Sequence, residues 1–410
     1  MSGARARTTV LIVFPMLSVM IFTPMLLGLY WPAAHGLDVT GQQIGRDFIN
    51  TWAGPQLAFD GHLPLLFDFP GYQAAISTLF GEPLMAHAWS YPLFCLLLFW
   101  PLAQLPYFAA LAIWTFGLFA LFAAMTLSQV ERATRPLALI LLALAPATLI
   151  NAVGGQNGFL SACLLLGGTL LVNPRPVLAG ILFGLLTYKP HLGLIVPFML
   201  LALGAWRTIA AATVTAALLV GASVAAFGLD AWRAYFEVTG PLQVRLLASL
   251  SDFGTYMVTS VMVSVARTFG ASLQTGFGAQ IMVAIPVIAL AIWAIRLAAD
   301  PAKRGFVLVA ATLLATPYAM VYDFAALTAV LVWRLCGAQP LGVVRGAIVL
   351  AAWLMPVGAM YLNNSGLGLA PLALIGVFAI AIADAAAARL PDWRFRRTPS
   401  LSGPSAAPVR

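Results

Sequence analysis

Long apolar segments separated by short breaks are the feature of this sequence that most limits its fold. Of the 410 residues, 62% are hydrophobic and only 8% are charged, whereas soluble domains carry roughly a quarter charged residues. A segment that crosses a bilayer needs roughly 20 mostly apolar residues. The sequence therefore predicts an all-α polytopic membrane protein with about twelve transmembrane helices.

The formal net charge of +8 does not indicate a nucleic-acid partner, because the arginines are scattered at the ends of apolar segments. Arginines in that position are typical topology markers. The three cysteines, Cys95, Cys163 and Cys336, lie within apolar segments and have no CxxC spacing. We interpret them as small packed hydrophobic residues, and we set aside nucleic-acid binding, a disulfide and a zinc site.

Cationic residues orient the predicted spans. Arg5 and Arg7 place the N-terminus in the cytoplasm, so a first span of about residues 8–31 delivers residues 32–88 to the outer side. The later cationic breaks are predicted to be cytoplasmic, at residues 131–135, 173–176, 205–207 and 296–304 and in the tail from Arg389. The apolar segments at residues 91–104 and 255–269 are short, and counting both as full spans would invert the cationic breaks between them. We therefore interpret them as re-entrant or half-inserted helices.

The predicted organisation is a single transmembrane domain over residues 1–388 and a disordered basic cytoplasmic tail over residues 389–410. Polar residues concentrate in the first outer loop, residues 32–88. This loop holds five of the 13 acidic residues and three of the four histidines. We therefore expect the chemistry of the protein to lie in or against this loop.

Two stretches of the loop predict helices lying in the membrane interface. "PGYQAAISTLFGE" sets Tyr72, Ile76, Leu79 and Phe80 on one helical face, and "GRDFINTW" places Asp47 before apolar residues. The second helix would present Asp47 on its inner, protein-facing side. A partly desolvated carboxylate in that position suits a general base, and the alternative is an ordinary solvated loop residue.

The stretch "YKPH" contains Lys189, one of only two lysines, and His191, the only histidine outside the first loop. A lysine at the outer end of a span can bind a phosphate as a point charge. The alternative is an interfacial lysine that extends its amine to the membrane surface.

The stretch "GGQNG" places Gln156 and Asn157 between glycines at the start of a predicted helix. The free N–H groups of a helix start can bind an anion, and two amides can hold sugar hydroxyls. The alternative is a simple turn and helix cap. "SYPLF" and "TPYAMVYDF" place Tyr91, Tyr322 and Asp323 at outer span ends, where tyrosines usually form an aromatic belt.

These stretches occur in a recognisable order: "RDFINTW", "LAFDGHLPLLFD", "WSYPLFCLLLFWPLAQLP", "GGQNGFL", "PVLAGILFGLLTYKPHLGLIVP" and "ATPYAMVYDF". In this order the sequence resembles glycosyltransferase family 87, which includes the mycobacterial mannosyltransferase of phosphatidylinositol mannoside synthesis. The resemblance extends from about residue 40 to about residue 340, which is most of the chain.

The resemblance implies a GT-C fold and a polyprenyl-phosphate-linked sugar donor used at the outer membrane face. It also implies an aspartate of the first outer loop as catalytic base, which matches Asp47, and it places Lys189 at the family's lysine-proline element. The sequence departs from the family pattern in "SYPLF", which lacks a second proline, and in Asp323, where some members have histidine. These departures leave the donor sugar and the acceptor open.

The predicted function is that of a hexosyltransferase of the cell (inner) membrane, with its site facing the periplasm or exterior and mannose as one candidate sugar. A lipid-linked donor is favoured because the sequence has no convincing nucleotide-binding motif. An in-line displacement would transfer the sugar to a lipid or glycan acceptor with inversion. The predicted roles are base for Asp47, donor-phosphate binding for Lys189, His191 and Arg46, and sugar or acceptor binding for Gln156, Asn157, Tyr91, Tyr322 and Asp323.

A transporter or flippase for a lipid-linked sugar is the alternative function. Transporters tend to have repeated halves and ionisable groups near the bilayer midplane, whereas this chain concentrates its polar residues in one outer loop. The sequence identifies no cofactor. The acidic residues of the loop leave a divalent cation open, although no spacing marks a set of ligands.

Overall fold

A computed structural model describes residues 3–84, 87–248, 255–337 and 341–387, apart from the side chains of residues 3–11 and 246–248. The predicted tail of residues 389–410 lies outside the described residues. In the described part the chain is built from helices, and its β contacts are isolated bridges without a strand. The predicted all-α architecture is confirmed.

Nineteen α-helices follow one another along the described chain. They are α1 Gly3–Met25, α2 Phe48–Leu57, α3 Phe69–Phe80, α4 Phe94–Ala103, α5 Tyr107–Ala112, α6 Leu118–Ser128, α7 Arg135–Leu144, α8 Pro146–Val153, α9 Gly158–Leu171, α10 Pro176–Leu185, α11 Val196–Ala202, α12 Trp206–Ala234, α13 Gly240–Ala248, α14 Val261–Phe269, α15 Leu273–Leu297, α16 Pro301–Ala315, α17 Phe324–Cys336, α18 Val343–Asn364 and α19 Ala370–Ala386.

Short 3-10 and π turns extend or join these helices. They are Leu26–Tyr30, Ala34–Gly36, Ala58–His62, Leu63–Phe67, Ile113–Gly117, Arg132–Thr134, Leu186–Tyr188, Pro190–Gly193, Tyr235–Thr239, Thr255–Met257 and Val321–Asp323.

Five helical segments of the described residues are long and apolar enough to cross a membrane: Ile12–Tyr30, Tyr107–Ser128, Trp206–Arg245, Leu273–Leu297 and Val343–Asn364. The pair α7 and α8, bent by 56°, gives a sixth if it counts as one broken span. Five further apolar helices are shorter. The chain is thus a multi-pass membrane protein, and the count of about twelve spans stays a prediction.

The centre of the bundle is formed by α16 and α17, which pack against each other and against α9. Every residue from 305 to 315 in α16 is buried, and so is almost all of α17. A helix that is apolar on all sides is stable when other helices surround it. The three cysteines are buried in this bundle, so their predicted packing role is confirmed.

Two helices lie in the short apolar segments, residues 91–104 and 255–269, that are predicted not to cross the membrane fully. α4 has 10 residues and α14 has 9. At 1.5 Å per residue each is roughly 15 Å long, about half the hydrocarbon thickness of a bilayer. Their short length is as predicted, and their position in the membrane stays a prediction.

The loop of residues 32–88 folds against the bundle through α2 and α3. The predicted helix around Tyr72 and Ile76 is confirmed as α3, but both side chains are buried in the protein, and the Tyr72 hydroxyl donates to Asn50 Oδ1 at 2.8 Å. Phe48 and Ile49 of α2 are fully buried as well. These four side chains therefore pack on neighbouring helices, whereas Leu79 of α3 is 43% exposed. The position of the two helices in the membrane interface stays a prediction.

Four chain segments meet at one end of the bundle, where several helices begin or end. α2 and α9 begin there, α10 ends there, and the segment joining α16 to α17 lies beside them, as shown by the contacts between Gly45 and Gly155 and between Gly158 and Tyr322. The polar residues singled out in the sequence lie at these ends.

Candidate active site

Asp47 lies at the junction between a tight turn and α2. Phe48, the next residue, is fully buried and packs its ring against Tyr107 and Trp114, with ring centroids 5.6 and 5.9 Å away. This packing fixes the start of the helix and leaves Asp47 partly exposed. Asp47 Oδ2 accepts a hydrogen bond of 2.5 Å from Gln156 Nε2, and its Oδ1 has no donor among the described residues.

The "GGQNG" turn packs directly on the turn that carries Asp47. Gly155 has a φ of +56°, and a Cβ there would overlap the Gly45 carbonyl oxygen and lie 2.7 Å from Phe48 Cβ. Only glycine satisfies both the backbone angle and the close approach. The Trp114 indole N–H donates to the carbonyls of Gly155 and Gln156 at 3.1 and 3.2 Å, which holds Gln156 beside Asp47.

Asn151 joins the start of α9 to the segment before α17. Its Oδ1 accepts from the Gly158 N–H at 2.8 Å, and its Nδ2 donates to the Tyr322 carbonyl at 2.9 Å. The Gly158 N–H is therefore already satisfied, which removes one donor from the anion site predicted at this helix start. Asn151 was not among the predicted site residues, although a single amide inside the apolar stretch "ATLINAV" is a signal that could have identified it.

Gly158→Ala should destabilise the protein by about 1–3 kcal/mol, the usual cost of forcing extra atoms into a packed core. The added Cβ would overlap the Tyr322 carbonyl oxygen and lie 2.5 Å from Asn151 Oδ1. Gly167→Ala, on the same helix, is the matched control, because its nearest neighbour is the flexible Leu182 side chain at 3.3 Å. Thermal unfolding in detergent should show a lower melting temperature for the Gly158 variant alone, and equal melting of both variants would contradict this packing.

Lys189 lies in a break between helical turns. Pro190 disfavours the α conformation for the residue before it, and Lys189 accordingly has φ −129° and ψ 75°. Its ammonium Nζ lies 2.7 Å from Asp323 Oδ1 and 4.4 Å from the centre of the Tyr322 ring. Asp323 Oδ2 accepts from the Met320 N–H at 3.1 Å, which orients the carboxylate.

The Lys189–Asp323 pair is buried, with 8% and 0% of the two side chains exposed. The alternative of a lysine extended to the membrane surface is therefore wrong. Phosphate binding by Lys189 and sugar binding by Asp323 were predicted separately, whereas the structure joins the two residues in one ion pair. Removing either partner would leave the other charge buried and unpaired.

Asn157 and Tyr91 form a second polar pair. Asn157 Nδ2 donates to the Tyr91 hydroxyl at 2.9 Å, while Asn157 Oδ1 is buried without a hydrogen-bond partner. Turning the amide around would leave its nitrogen unpaired instead, so one polar atom stays available in either orientation. Burial raises the pKa of Tyr91, and its hydroxyl therefore stays protonated and can donate at neutral pH.

Tyr318 packs beside His191, two residues after Lys189. Burial raises the pKa of Tyr318 to about 12, and the negative charges of Asp47 and Asp323 both add to this rise. Its ring lies edge-on to His191, with centroids 5.5 Å apart, and His191 Nε2 has no hydrogen-bond partner. Asp47 and Lys189 are also close enough to interact electrostatically. The structure thus brings these groups into one site.

Arg46 is the predicted site residue that points elsewhere. Its guanidinium forms an ion pair of 2.7 Å with Asp38, donates to the Leu29 carbonyl and covers the Tyr30 ring at 4.0 Å. These contacts use its charge to hold the loop against the end of α1. We therefore leave Arg46 out of the phosphate-binding set.

The site offers carboxylates, an ammonium, amides and tyrosine hydroxyls. In the described part of the chain, groups of three or more histidine, cysteine, aspartate or glutamate residues that could hold a metal ion are absent. The arrangement suits proton transfer at Asp47 together with binding of an anion and of hydroxyl groups nearby.

A comparison with models of protein families gives a match. The model of glycosyltransferase family 87 matches residues 89–317, more than half of the chain. Tyr91, Gln156, Asn157 and Lys189 lie within the matched range, whereas Asp47 lies before it. Neither the curated proteins nor the solved structures include a match to the chain.

Proposed function

The chain belongs to glycosyltransferase family 87 and is a membrane glycosyltransferase, and we propose that it transfers a hexose from a polyprenyl-phosphate donor to a lipid or glycan acceptor. Membership of an enzyme family decides against the transporter or flippase alternative. The observation that carries the proposal is the Asp47–Gln156 hydrogen bond, which joins the loop acid to the family region.

Asp47 is proposed as the general base. One carboxylate oxygen is oriented by Gln156, and the other is free to accept the proton of an acceptor hydroxyl. As that proton leaves, the acceptor oxygen bonds to the anomeric carbon and the bond from that carbon to the phosphate oxygen breaks. The leaving phosphate takes the electron pair, and a single displacement of this kind inverts the anomeric centre.

Lys189 is proposed to stabilise the phosphate that leaves. An ammonium has three N–H donors, and the contact with Asp323 uses one of them. Asp323 and the Tyr322 ring fix the position of the ammonium, so little reorganisation is needed when charge develops on the phosphate. His191, with its unpartnered Nε2, is a second donor candidate on the same side of the site.

The Asn157–Tyr91 pair is proposed to bind a sugar hydroxyl. Asn157 offers an unused acceptor and Tyr91 an unused donor, and a hydroxyl group is both donor and acceptor. A buried polar atom left unpaired costs about 1–3 kcal/mol, so a substrate that pairs with it gains affinity. Tyr322 is proposed to support this region through its contact with Lys189 rather than to bind sugar directly.

The proposed location is the inner membrane with the site on the periplasmic or outer side. The supporting observation is the cationic pattern of the breaks, which predicts an outer position for residues 32–88. A nucleotide sugar would then be on the opposite side of the membrane, which supports a lipid-linked donor.

A donor comparison with purified protein in nanodiscs tests the proposal. Polyprenyl-phosphate mannose and polyprenyl-phosphate glucose are offered in parallel with their nucleotide-sugar counterparts, together with a lipid extract as acceptor. We expect transfer from a lipid-linked sugar and none from a nucleotide sugar. Transfer from the nucleotide sugar alone would overturn the proposed donor class.

Gln156→Leu should lower the rate of transfer by about 10- to 100-fold, because a hydrogen bond to a charged group contributes about 1.5–3 kcal/mol. The leucine keeps the approximate size of the side chain but cannot orient Asp47. Gln129→Leu, an exposed glutamine at the end of α6, is the matched control. Equal rates for the two variants would show that Gln156 does not act on the base.

A further inference from the structure

A cavity with charged and apolar walls lies away from the candidate active site. Its volume is about 300 Å³, and it lies between the beginning of α16 and the ends of α17 and α19. Asp323 immediately precedes α17 and Arg334 lies near its end, eleven residues later, so the two places are roughly 16 Å apart along the helix. The walls include Lys303, Phe306, Val330, Trp333, Arg334 and Asp384.

The charges around this cavity leave one cation without a counter-ion. Asp384 accepts from Arg334 Nε at 2.7 Å and lies 3.5 Å from Arg345. Asp300, which also lines the cavity, accepts from the Ala302 N–H at 2.9 Å and interacts with the charge of Arg304. In the described part of the chain, Lys303 has neither an ion pair nor a hydrogen bond for its amine.

The remaining walls of the cavity are apolar, and exposed apolar side chains that lipid could cover lie nearby. Phe306, Val330 and Trp333 line the cavity, and the Trp333 indole is held by a hydrogen bond of 2.8 Å to the Thr126 carbonyl. Val343 and Val344 are 91% and 73% exposed next to Arg345. An anionic group would pair with the free ammonium, and an apolar chain would pack on the apolar walls. An amphiphile with an anionic head group supplies both in a membrane.

We propose that this cavity binds the phosphate head group of an anionic phospholipid, with Lys303 as its cationic contact and the Trp333 side supporting the upper acyl chains. The cationic pattern places this end of the bundle in the cytoplasm, so the lipid would come from the inner leaflet. This site is separate from sugar transfer and depends only on the protein being embedded in a membrane.

Native mass spectrometry of the full-length protein tests the proposal, with phosphatidylglycerol and phosphatidylcholine of the same acyl chains as probes. We expect Lys303→Gln to reduce retained phosphatidylglycerol about fivefold, the effect of one lysine near an anionic lipid surface. Phosphatidylcholine retention should not change. Arg175→Gln, an exposed cationic residue of another break predicted to be cytoplasmic, is the matched control and should behave like the wild type.

A thermal-shift measurement is a second test of lipid binding that does not depend on equal expression of the variants. Phosphatidylglycerol should raise the melting temperature of the wild type and of Lys303→Arg, and it should raise that of Lys303→Gln by less. Equal retention and equal stabilisation in the wild type and Lys303→Gln would overturn the proposal. Stabilisation of the wild type by inorganic phosphate to the same extent as by the lipid would also overturn it, because a free anion would then suffice.

Discussion

Asp47→Asn should reduce sugar transfer by about 10²- to 10⁴-fold, the usual contribution of a general base. The amide keeps the size of the side chain and can still bond Gln156 after turning around, but it cannot take a proton at neutral pH. The stability of the protein should change little, because Asp47 is partly exposed and forms no ion pair among the described residues. Initial rates in nanodiscs, at saturating donor, measure the effect.

Asp60→Asn is the matched control for this variant. Asp60 belongs to the same loop and has the same charge, but it is exposed and lies beyond α2. It should retain near wild-type transfer. If the two variants lost activity equally, the effect would come from the charge of the loop rather than from a base at Asp47.

Lys189→Ala should have the second large effect, and it should act on both stability and transfer. Removing one partner of a buried ion pair typically costs about 3–5 kcal/mol, because the remaining carboxylate is left unpaired. The Asp323 side chain is fully buried, so water cannot replace the ammonium. We therefore expect a markedly lower melting temperature together with loss of transfer.

A paired replacement separates the two effects of Lys189. In Lys189→Met with Asp323→Asn, both charges are removed, the methionine can pack on the Tyr322 ring, and the asparagine can still accept from the Met320 N–H. Most of the stability should return, because the buried unpaired charge is gone. Transfer should stay low if Lys189 stabilises the phosphate, and a double variant with near wild-type transfer would show that the pair is only structural.

The sequence predicts the helical membrane architecture well because that prediction depends on the amount and spacing of apolar residues. It also identifies the stretches that meet in the site, since charged and amide residues are rare in this chain and each exception stands out. Asp47, Gln156, Asn157 and Lys189 all lie at the same end of the bundle in the structure.

What the sequence does not predict is which of these residues pair. Lys189 and Asp323 are 134 residues apart, and Asp47 and Gln156 are 109 apart, so only the packing of distant helices brings them together. The same limit applies to α2 and α3: an apolar helical face predicts burial, but periodicity does not say whether lipid or protein covers it. Arg46 pairs with Asp38, which lies only eight residues earlier. The sequence does not predict this ion pair, because it depends on the conformation of the turn between the two residues.

A cryo-electron microscopy structure of the protein in nanodiscs, bound to a phosphonate analogue of a polyprenyl-phosphate hexose, tests the central claim most directly. The phosphonate should contact the Lys189 ammonium, and the sugar should lie between Asp47 and the Asn157–Tyr91 pair, with its anomeric carbon facing Asp47. A head group bound at any other place, with Asp47 and Lys189 free of contact, would contradict the proposed active site.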